Sequence, residues 1–430
     1  RTAAQSLKKN APPTDELVGM RKKFRQTRRD FMKSASLATV AIGAGAMLPA
    51  CRTIRSSASD IRVAIVGGGM AGLHAAWELQ RSGIPSIIFE ASNRTGGRIF
   101  TARNIMAPGL TTELGGEFID STHTEMLRLA QEFGLPLYDT QQPSESELIH
   151  ELFYFDGKVY SEAEVLADVA PIALRIQKDY DALPEVIDFQ HPEHAALDNQ
   201  SIGDYLSVIG ATGRLRKLLE VAYITEYGLE IDQQSAINFL LLIGSDLRPT
   251  ENSFAIFGES DERFKVQGGN QRVSDELATR LADIIQTGHT LEAIRPAGGN
   301  RFSLTFQQRN GGTKEVHAGA VILTLPFSIL RSVDLSKLEL PAVKRRAISE
   351  LGYGTNAKLM VGTNGHPWRA QGYAGYCFTD EAVQMGWDNS QLQPGNSGGF
   401  TMFSGGAAGI TVGSGTADSQ AKRLLPGVEK

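Results

Sequence analysis

The chain has 430 residues, a formal net charge of −5 and a hydrophobic content of 41%. This length and composition suit a soluble protein of two or three domains, and the mild acidity gives no indication of nucleic-acid binding. The histidines have no spacing with acids or cysteines that is typical of a metal site, so we expect no metal ion.

The N-terminal region has the pattern of an export signal. Basic residues at 21–25 precede the stretch 27–33, TRRDFMK, which resembles the twin-arginine motif. The modestly apolar run at 37–48 is too short to remain in a membrane as a spanning helix. A twin-arginine signal is read by a receptor and directs export of a folded protein. We therefore expect the Tat export machinery as a partner and a periplasmic or other extracytoplasmic location.

Cys51 follows the sequence Leu-Pro-Ala, a context that resembles a bacterial lipoprotein cleavage site. A lipid anchor at Cys51 would hold the protein at the membrane, whereas Pro49 departs from the small residue usual at that point. Lipoprotein processing and ordinary signal cleavage both stay open. The other cysteine is Cys377, so removal or lipidation of Cys51 leaves no intramolecular disulfide. We assign residues 1–60 to the signal and a tether.

A short apolar run at 62–66 is followed directly by glycines with the spacing G-x-G-x-x-G. This pattern predicts a buried parallel strand, a tight turn and a helix over 70–81 whose N-terminus faces a pyrophosphate. The predicted phosphate-binding residues are Gly67, Gly69, Met70, Ala71 and Gly72.

A second strand, predicted at 84–89, places Glu90 at its C-terminal end. A carboxylate at this position accepts hydrogen bonds from the hydroxyls of an adenosine ribose. Strand, helix, second strand and acid all fall at the spacing of a dinucleotide site. The alternative is a glycine-rich loop of another α/β protein.

The loop after Glu90 selects a flavin over a nicotinamide. Two adjacent glycines, Gly96 and Gly97, permit close approach of backbone to a ligand, and Arg98 offers a forked donor to a diphosphate. Glu90 with Ala91 and the later Gly-Gly-Arg resembles the FAD fingerprint of the flavin amine oxidase superfamily, which includes monoamine, polyamine and L-amino-acid oxidases.

This resemblance implies an α/β fold with a Rossmann-like FAD-binding domain of the GR2 type and an inserted α+β substrate domain. We predict the FAD-binding domain at 61–135 and 263–335, and the substrate-binding domain at 136–262 and 336–430.

Further cofactor contacts follow from the same resemblance. Gly115 and Gly116, followed by Glu117, match a glycine pair that passes close to the flavin ring. Leu291, in a strand predicted at 289–294, matches the position whose backbone meets the adenine. A simple turn between strands remains the alternative for the glycine pair.

Lys358 is the predicted catalytic residue. A helix at 344–351 ends before Gly352, and a strand begins near Asn356. In the resembled family the lysine of such a segment holds a water against N5 of the flavin. A lysine there stabilises negative charge on the ring, and partial burial would make it a proton acceptor. The alternative is an exposed strand lysine.

Local patterns predict several other elements. Thr122 and Glu125 form a capping-box pattern, and Asp156-Gly157 reads as a hairpin turn. A helix is expected over 272–286. The residues Tyr223, Glu226 and Tyr227 fit either the wall of an amine pocket or the core.

These features predict FAD-dependent oxidative deamination of a primary amine, a polyamine or an amino acid, with oxygen or another electron acceptor and with hydrogen peroxide as product. Family members continue beyond the equivalent of Lys430 into a segment that completes the FAD domain, so we expect an incomplete chain. The alternatives are another FAD-dependent dehydrogenase or desaturase on the same scaffold and a non-catalytic flavin-binding fragment.

Overall fold

A computed structural model describes residues 60–244 and 255–430. The predicted export signal, the tether and Cys51 lie outside these residues. The described chain forms two compact units. The first unit comprises the described residues up to Gly97 with Glu185–Gln190 and Ser274–Leu351, and the second comprises Arg98–Pro184, His191–Val273 and Gly352–Lys430. The domain boundaries that the sequence suggests stay a prediction.

The strands, in chain order, are β1 Asp60–Val66, β2 Ser86–Phe89, β3 Thr101–Arg103, β4 Thr111–Glu113, β5 Leu137–Asp139, β6 Ile149–Phe155, β7 Lys158–Tyr160, β8 Phe264–Val266, β9 Ile285–Gln286, β10 His289–Pro296, β11 Phe302–Gln308, β12 Thr313–Leu323, β13 Asn356–Asn364, β14 Tyr373–Thr379, β15 Met385–Asp388 and β16 Ser397–Gly405. The α-helices are α1 Met70–Arg81, α2 Thr124–Glu132, α3 Glu162–Asp181, α4 Pro192–Asn199, α5 Ile202–Val208, α6 Gly213–Tyr227, α7 Ala236–Ile243, α8 Gln271–Arg280, α9 Phe327–Leu330, α10 Ala342–Glu350, α11 Pro367–Ala370, α12 Gly406–Gly413 and α13 Ala417–Val428. None of the helices in the described ranges has the length and apolar character needed to cross a bilayer.

The first unit is built on a six-stranded sheet in the order β10-β11-β12-β1-β2-β9. Strand β1 is parallel to both of its neighbours, β12 and β2, while β10, β11 and β12 form an antiparallel meander. The residues at 63–66 are buried, as a strand in the middle of a parallel arrangement requires. The carboxyl ends of β1 and β2 therefore meet at one edge of the sheet.

The second unit contains a six-stranded sheet in the order β13-β16-β15-β14-β6-β7. All pairs are antiparallel except β14 and β6. Helix α6 packs against β6, β14 and β16, and its residues join the largest buried apolar cluster of this unit. The sheet thus carries a mainly helical layer, which agrees with the predicted α+β character.

The predicted capping box before α2 is wrong. The helix begins at Thr124, and its N-cap is His123, which makes no side-chain capping bond. The His123 ring instead accepts a hydrogen bond from the Asp120 backbone N–H at 3.0 Å. This local turn moves the helix start beyond Thr122.

The helix expected over 272–286 ends earlier, at Arg280. A 3-10 turn covers Ala282–Ile284, and β9 follows at once. Ile285 pairs with Ile88 of β2, so edge pairing with the sheet overrides the helical pattern of the sequence. The predicted hairpin at Asp156-Gly157 is confirmed, with β6 and β7 on either side and a φ of +52° at Asp156.

Candidate active site

The glycine turn of the first unit is held by close backbone contacts. Gly67 has a φ of +109° and donates its N–H to the carbonyl of Phe89 at 2.8 Å. A Cβ on Gly72 would lie 1.9 Å from the Gly67 carbonyl oxygen, so α1 can pack this close to β1 only through glycine. Gly69 is the N-cap of α1 and makes no side-chain capping bond. The first turn of α1 therefore offers backbone donors to an anion.

Glu90 follows β2 and is oriented by two backbone amides. Its Oε2 accepts from the Gly68 N–H at 2.6 Å, and its Oε1 accepts from the Ser92 N–H at 2.8 Å. Each carboxylate oxygen keeps a lone pair for another donor. This arrangement suits the two vicinal hydroxyls of a ribose.

The second glycine pair packs on the first turn. The Gly96 N–H donates to the Gly68 carbonyl at 2.9 Å, and Gly69 and Gly96 form an isolated β-bridge. A Cβ on Gly97 would lie 3.0 Å from the Gly69 Cα. The first unit thus has the tight glycine backbone, the helix N-terminus and the oriented carboxylate that an adenine dinucleotide requires. The residues present fit the ADP part of FAD.

The other residues of this unit that the sequence assigns to the cofactor site differ in their exposure to solvent. Ala71 is exposed in the first turn of α1, Met70 is half-buried, and Ala91 is exposed just after Glu90. Leu291 lies in β10 with its side chain in the core, next to a register shift between Leu291 and Ala293. Only its backbone is available to a ligand.

In the second unit, the glycine pair at 115–116 packs on the backbone of Arg98. The Gly116 N–H donates to the Arg98 carbonyl at 3.1 Å, and a Cβ on Gly115 would lie 1.9 Å from that carbonyl oxygen. The Arg98 side chain is exposed. Asn270 donates to the Glu117 carbonyl at 2.6 Å, which fixes the segment from the other side.

Lys358 lies on β13 and is surrounded by oxygen acceptors. Its Nζ is 3.0 Å from the Gly115 carbonyl, 3.3 Å from the Glu113 carbonyl and 2.9 Å from Glu117 Oε2. Three acceptors match the three N–H bonds of an ammonium group. The strand lysine singled out in the sequence and the glycine pair at 115–116 therefore belong to one cluster.

Glu117 lies between two lysines. Its Oε1 is 2.9 Å from Lys265 Nζ on β8, and its Oε2 is 2.9 Å from Lys358 Nζ. The side chain of Glu117 is only 3% exposed. Burial alone would raise the pKa of this carboxyl, but the two ammonium groups outweigh burial and hold the pKa below its usual value. Glu117 is thus an ionised bridge, which we call the Lys265–Glu117–Lys358 triad.

Aromatic rings flank the triad. The Lys265 Nζ lies 4.5 Å from the ring centre of Phe118, and the Lys358 Nζ lies 5.2 Å from the ring of Trp387. Both distances are within the range of cation–π attraction. Phe118 and Trp387 also line a cavity of about 830 Å³ within the second unit. The triad therefore adjoins a space large enough for a small organic ligand.

Several residues of this site carry no clear signal in the sequence. Lys265 and Glu262 lie in a short charged stretch that reads as surface, and Trp387 lies far along the chain in an apolar strand. Tyr223, left open as a pocket residue, is fully buried in the core and donates to the Ile256 carbonyl at 3.1 Å. In the described ranges no group of three or more His, Cys, Asp or Glu residues could hold a metal ion.

The chain is similar in sequence and in fold to known flavin-containing proteins. The family described as flavin containing amine oxidoreductase matches residues 70–412. A relative from Mycobacterium tuberculosis, described as the flavin-containing monoamine oxidase AofH, is 25% identical over 344 residues. These residues are 77% of this chain and 71% of that protein. Among solved structures, cyclohexylamine oxidase from Brevibacterium oxydans has a TM-score of 0.72 at 20% identity over 86% of this chain and 80% of its own. A putrescine oxidase bound to putrescine has a TM-score of 0.71 at 20% identity, with 85% and 80% covered.

Proposed function

The chain belongs to the family of flavin-containing amine oxidoreductases, and from this premise we propose that it oxidatively deaminates an amine with oxygen as the electron acceptor. Family membership makes FAD the cofactor and an amine the donor. The observation that supports a working site is the fixed Lys358 ammonium group beside an aromatic-lined cavity.

The proposed reaction converts an amine, oxygen and water into an aldehyde, ammonia and hydrogen peroxide. When bound, FAD supplies the acceptor for the hydride that leaves the carbon next to the amine. The amine nitrogen loses a proton, and the resulting imine is hydrolysed by water. Phe118 and Trp387 orient the substrate and exclude bulk water from the reacting carbon.

Lys358 acts in this proposal as a positioned cation. Its three contacts to oxygen favour an ammonium group that donates hydrogen bonds. A fixed ammonium stabilises negative charge that develops nearby and orients a water molecule. Glu117 holds the Lys358 ammonium in place, and Lys265 holds Glu117.

We also propose export by the twin-arginine route to the periplasm or another extracytoplasmic site. The support is the sequence at 27–33 and the tightly bound cofactor expected of this family, which is loaded before export. A fusion of residues 1–60 to a reporter, with Arg28 and Arg29 changed to Lys, tests this proposal. Export that is independent of both arginines would contradict it.

The catalytic proposal is tested by peroxide release from a panel of amines. We expect Lys358→Met to lower kcat by at least about 100-fold, the scale for removing one fixed electrostatic donor, while flavin absorbance is retained. The exposed Lys178 on α3 supplies the matched control, Lys178→Met, which should behave as the parent protein. Unchanged turnover in Lys358→Met would overturn the role given to this residue.

The cofactor site has its own test. Glu90→Ala removes the oriented carboxylate, so the purified variant should lose flavin absorbance on dialysis while the parent retains it. Equal retention of flavin by both proteins would contradict the ribose contact.

A further inference from the structure

The 830 Å³ cavity of the second unit is lined by carboxyl groups and by no lysine or arginine among the described residues. Its acidic lining residues are Glu151, Glu162, Asp261, Glu262 and Asp388. His150 is its sole basic lining residue within the described ranges. The cavity therefore presents carboxyl groups and hydrogen-bond acceptors to whatever enters it.

Two of these acids are already satisfied by the protein. Asp388 is 3.0 Å from both the His366 Nδ1 and the Trp368 Nε1. Asp261 accepts from the Ser121 backbone N–H at 2.8 Å and also from its hydroxyl. These side chains have structural partners, so they are not available as primary ligand contacts.

Glu262 and Glu151 differ from these two acids. In the described part of the chain, no Lys or Arg forms an ion pair with either carboxyl group. Burial raises the pKa of Glu262 to about 8, and the neighbouring acids Glu226, Asp120 and Glu117 raise it further. Burial and the neighbouring Glu162 raise the pKa of Glu151 to about 7. Among the described residues, neither group therefore has a counter-charge that would stabilise its ionised form.

The cavity joins these acids to the proposed reaction site. Tyr376 also lines the cavity and interacts electrostatically with both Glu262 and Glu151. Phe118 and Trp387 line the same cavity and contact the lysines of the triad. The lining thus includes rings that contact the triad lysines and also two acids that form no ion pair with a described lysine or arginine.

Trp387 gives an independent sign that a ligand or an ordered water completes this cavity. The residue is 5% exposed, and its indole N–H has no hydrogen-bond partner within the described ranges. A buried donor without an acceptor is uncommon in folded proteins because it costs free energy.

We propose that this cavity selects amines that carry a second positive charge, with Glu262 and Glu151 binding the distal ammonium of an alkyl diamine or polyamine. The reactive amine then lies at Phe118 and Trp387, beside Lys358. This inference rests on the proposed amine oxidation and deepens it. It disfavours amino-acid substrates, because a substrate carboxylate would face acids and no described lining lysine or arginine.

Binding of a dication is coupled to proton release. In the free site Glu262 is largely protonated below about pH 8, and a bound ammonium favours the ionised carboxylate. Affinity for a diamine should therefore increase from pH 6 to pH 8.5, with release of up to about one proton for each acid that ionises.

The test compares hexylamine with 1,6-diaminohexane, which share a six-carbon chain and differ in one terminal ammonium. Each is titrated calorimetrically into anaerobic, dithionite-reduced holoenzyme, in which the amine cannot be oxidised. We expect the diamine to bind at least tenfold more tightly than the monoamine. Glu262→Gln and Glu151→Gln should each reduce this ratio at least threefold, and the double variant should abolish it.

Glu147→Gln supplies the control, since Glu147 is exposed, lies next to the lining residue Leu148 and does not itself line the cavity. This variant should keep the parent ratio and activity. Equal affinity of the two ligands in the parent, or a ratio unaffected by the double variant, would overturn the diamine inference while amine oxidation could still be observed as peroxide. Tight diamine binding without peroxide from any amine would instead overturn the proposed function.

Discussion

Two glutamates of the second unit, Glu117 and Glu262, show how partners decide the state of a buried carboxyl. Burial raises the pKa of both. At Glu117 two lysines at 2.9 Å reverse this effect, whereas at Glu262 nearby acids increase it. The first carboxyl is neutralised by the protein itself, and the second is left for a cationic ligand.

The two glutamates show that a charged group can either stabilise the protein itself or bind a ligand. A fully paired group inside a protein fixes neighbouring side chains, and loss of one partner leaves an uncompensated charge. An unpaired group costs stability in the free protein and recovers that cost when its ligand binds. The triad and the acidic part of the cavity should therefore respond to mutation in opposite directions.

The largest effect is expected from Glu117→Gln. It leaves two buried ammonium groups without their shared carboxylate, so the free energy of unfolding at pH 7 should fall by about 3–5 kcal/mol. Urea denaturation with an unchanged m-value measures this loss. In the exposed pair Arg346–Glu350, at 2.7 Å, the control Glu350→Gln should cost less than about 1 kcal/mol.

The same variant has a characteristic pH dependence. Because the folded-state pKa of Glu117 is lowered, its contribution is present above the usual pKa of 4.5 and is lost as the pH falls through the folded-state value. The difference in the free energy of unfolding between the parent and Glu117→Gln should therefore become smaller at acidic pH. A difference that stays constant down to pH 3 would contradict the ionised bridge.

An intermediate effect is expected from Lys265→Met. Glu117 keeps Lys358 but loses one of its two charged partners, which should cost about 1–3 kcal/mol. If Lys265 positions the triad, the variant should also shift the pH profile of kcat and not only lower stability. If the pH profile of kcat in Lys265→Met is the same as in the parent, Lys265 contributes to stability only and does not position the triad for the reaction.

The smallest effect, with the opposite sign, is expected from Glu262→Gln in the ligand-free protein. The pKa of Glu262 in the folded state is about 8, above the usual value of 4.5. The contribution of Glu262 therefore lowers the free energy of unfolding increasingly as the pH rises from 4.5 to 8. The variant should be more stable than the parent at pH 8, by about 1 kcal/mol or about 1 °C in Tm, and indistinguishable at pH 4.5. Thermal unfolding at both pH values measures this gain, and destabilisation at pH 8 would contradict the unpaired state of Glu262.

Local sequence patterns sufficed for the segment 62–90 of the first unit. Strand, turn, helix and acid at 62–90 lie within one short segment, and Gly72 and Glu90 perform tasks that few other residue types can perform. The family resemblance extended this reading to the fold class and to FAD. Local patterns gave a wrong prediction where contacts with other residues decided the structure. The hydrogen bond to the His123 ring moves the start of α2 beyond Thr122. Ile285, predicted to be helical, pairs with β2 as a strand residue.

The sequence by itself determined the glycine turn, the acid that follows it and the strand that carries Lys358, because each depends on residues close together in the chain. Only the tertiary structure decided that Lys265 reaches Glu117 across 148 positions and that no described lysine or arginine forms an ion pair with Glu262. Charge compensation depends on distance and burial in space, and the spacing of residues along the chain contains neither.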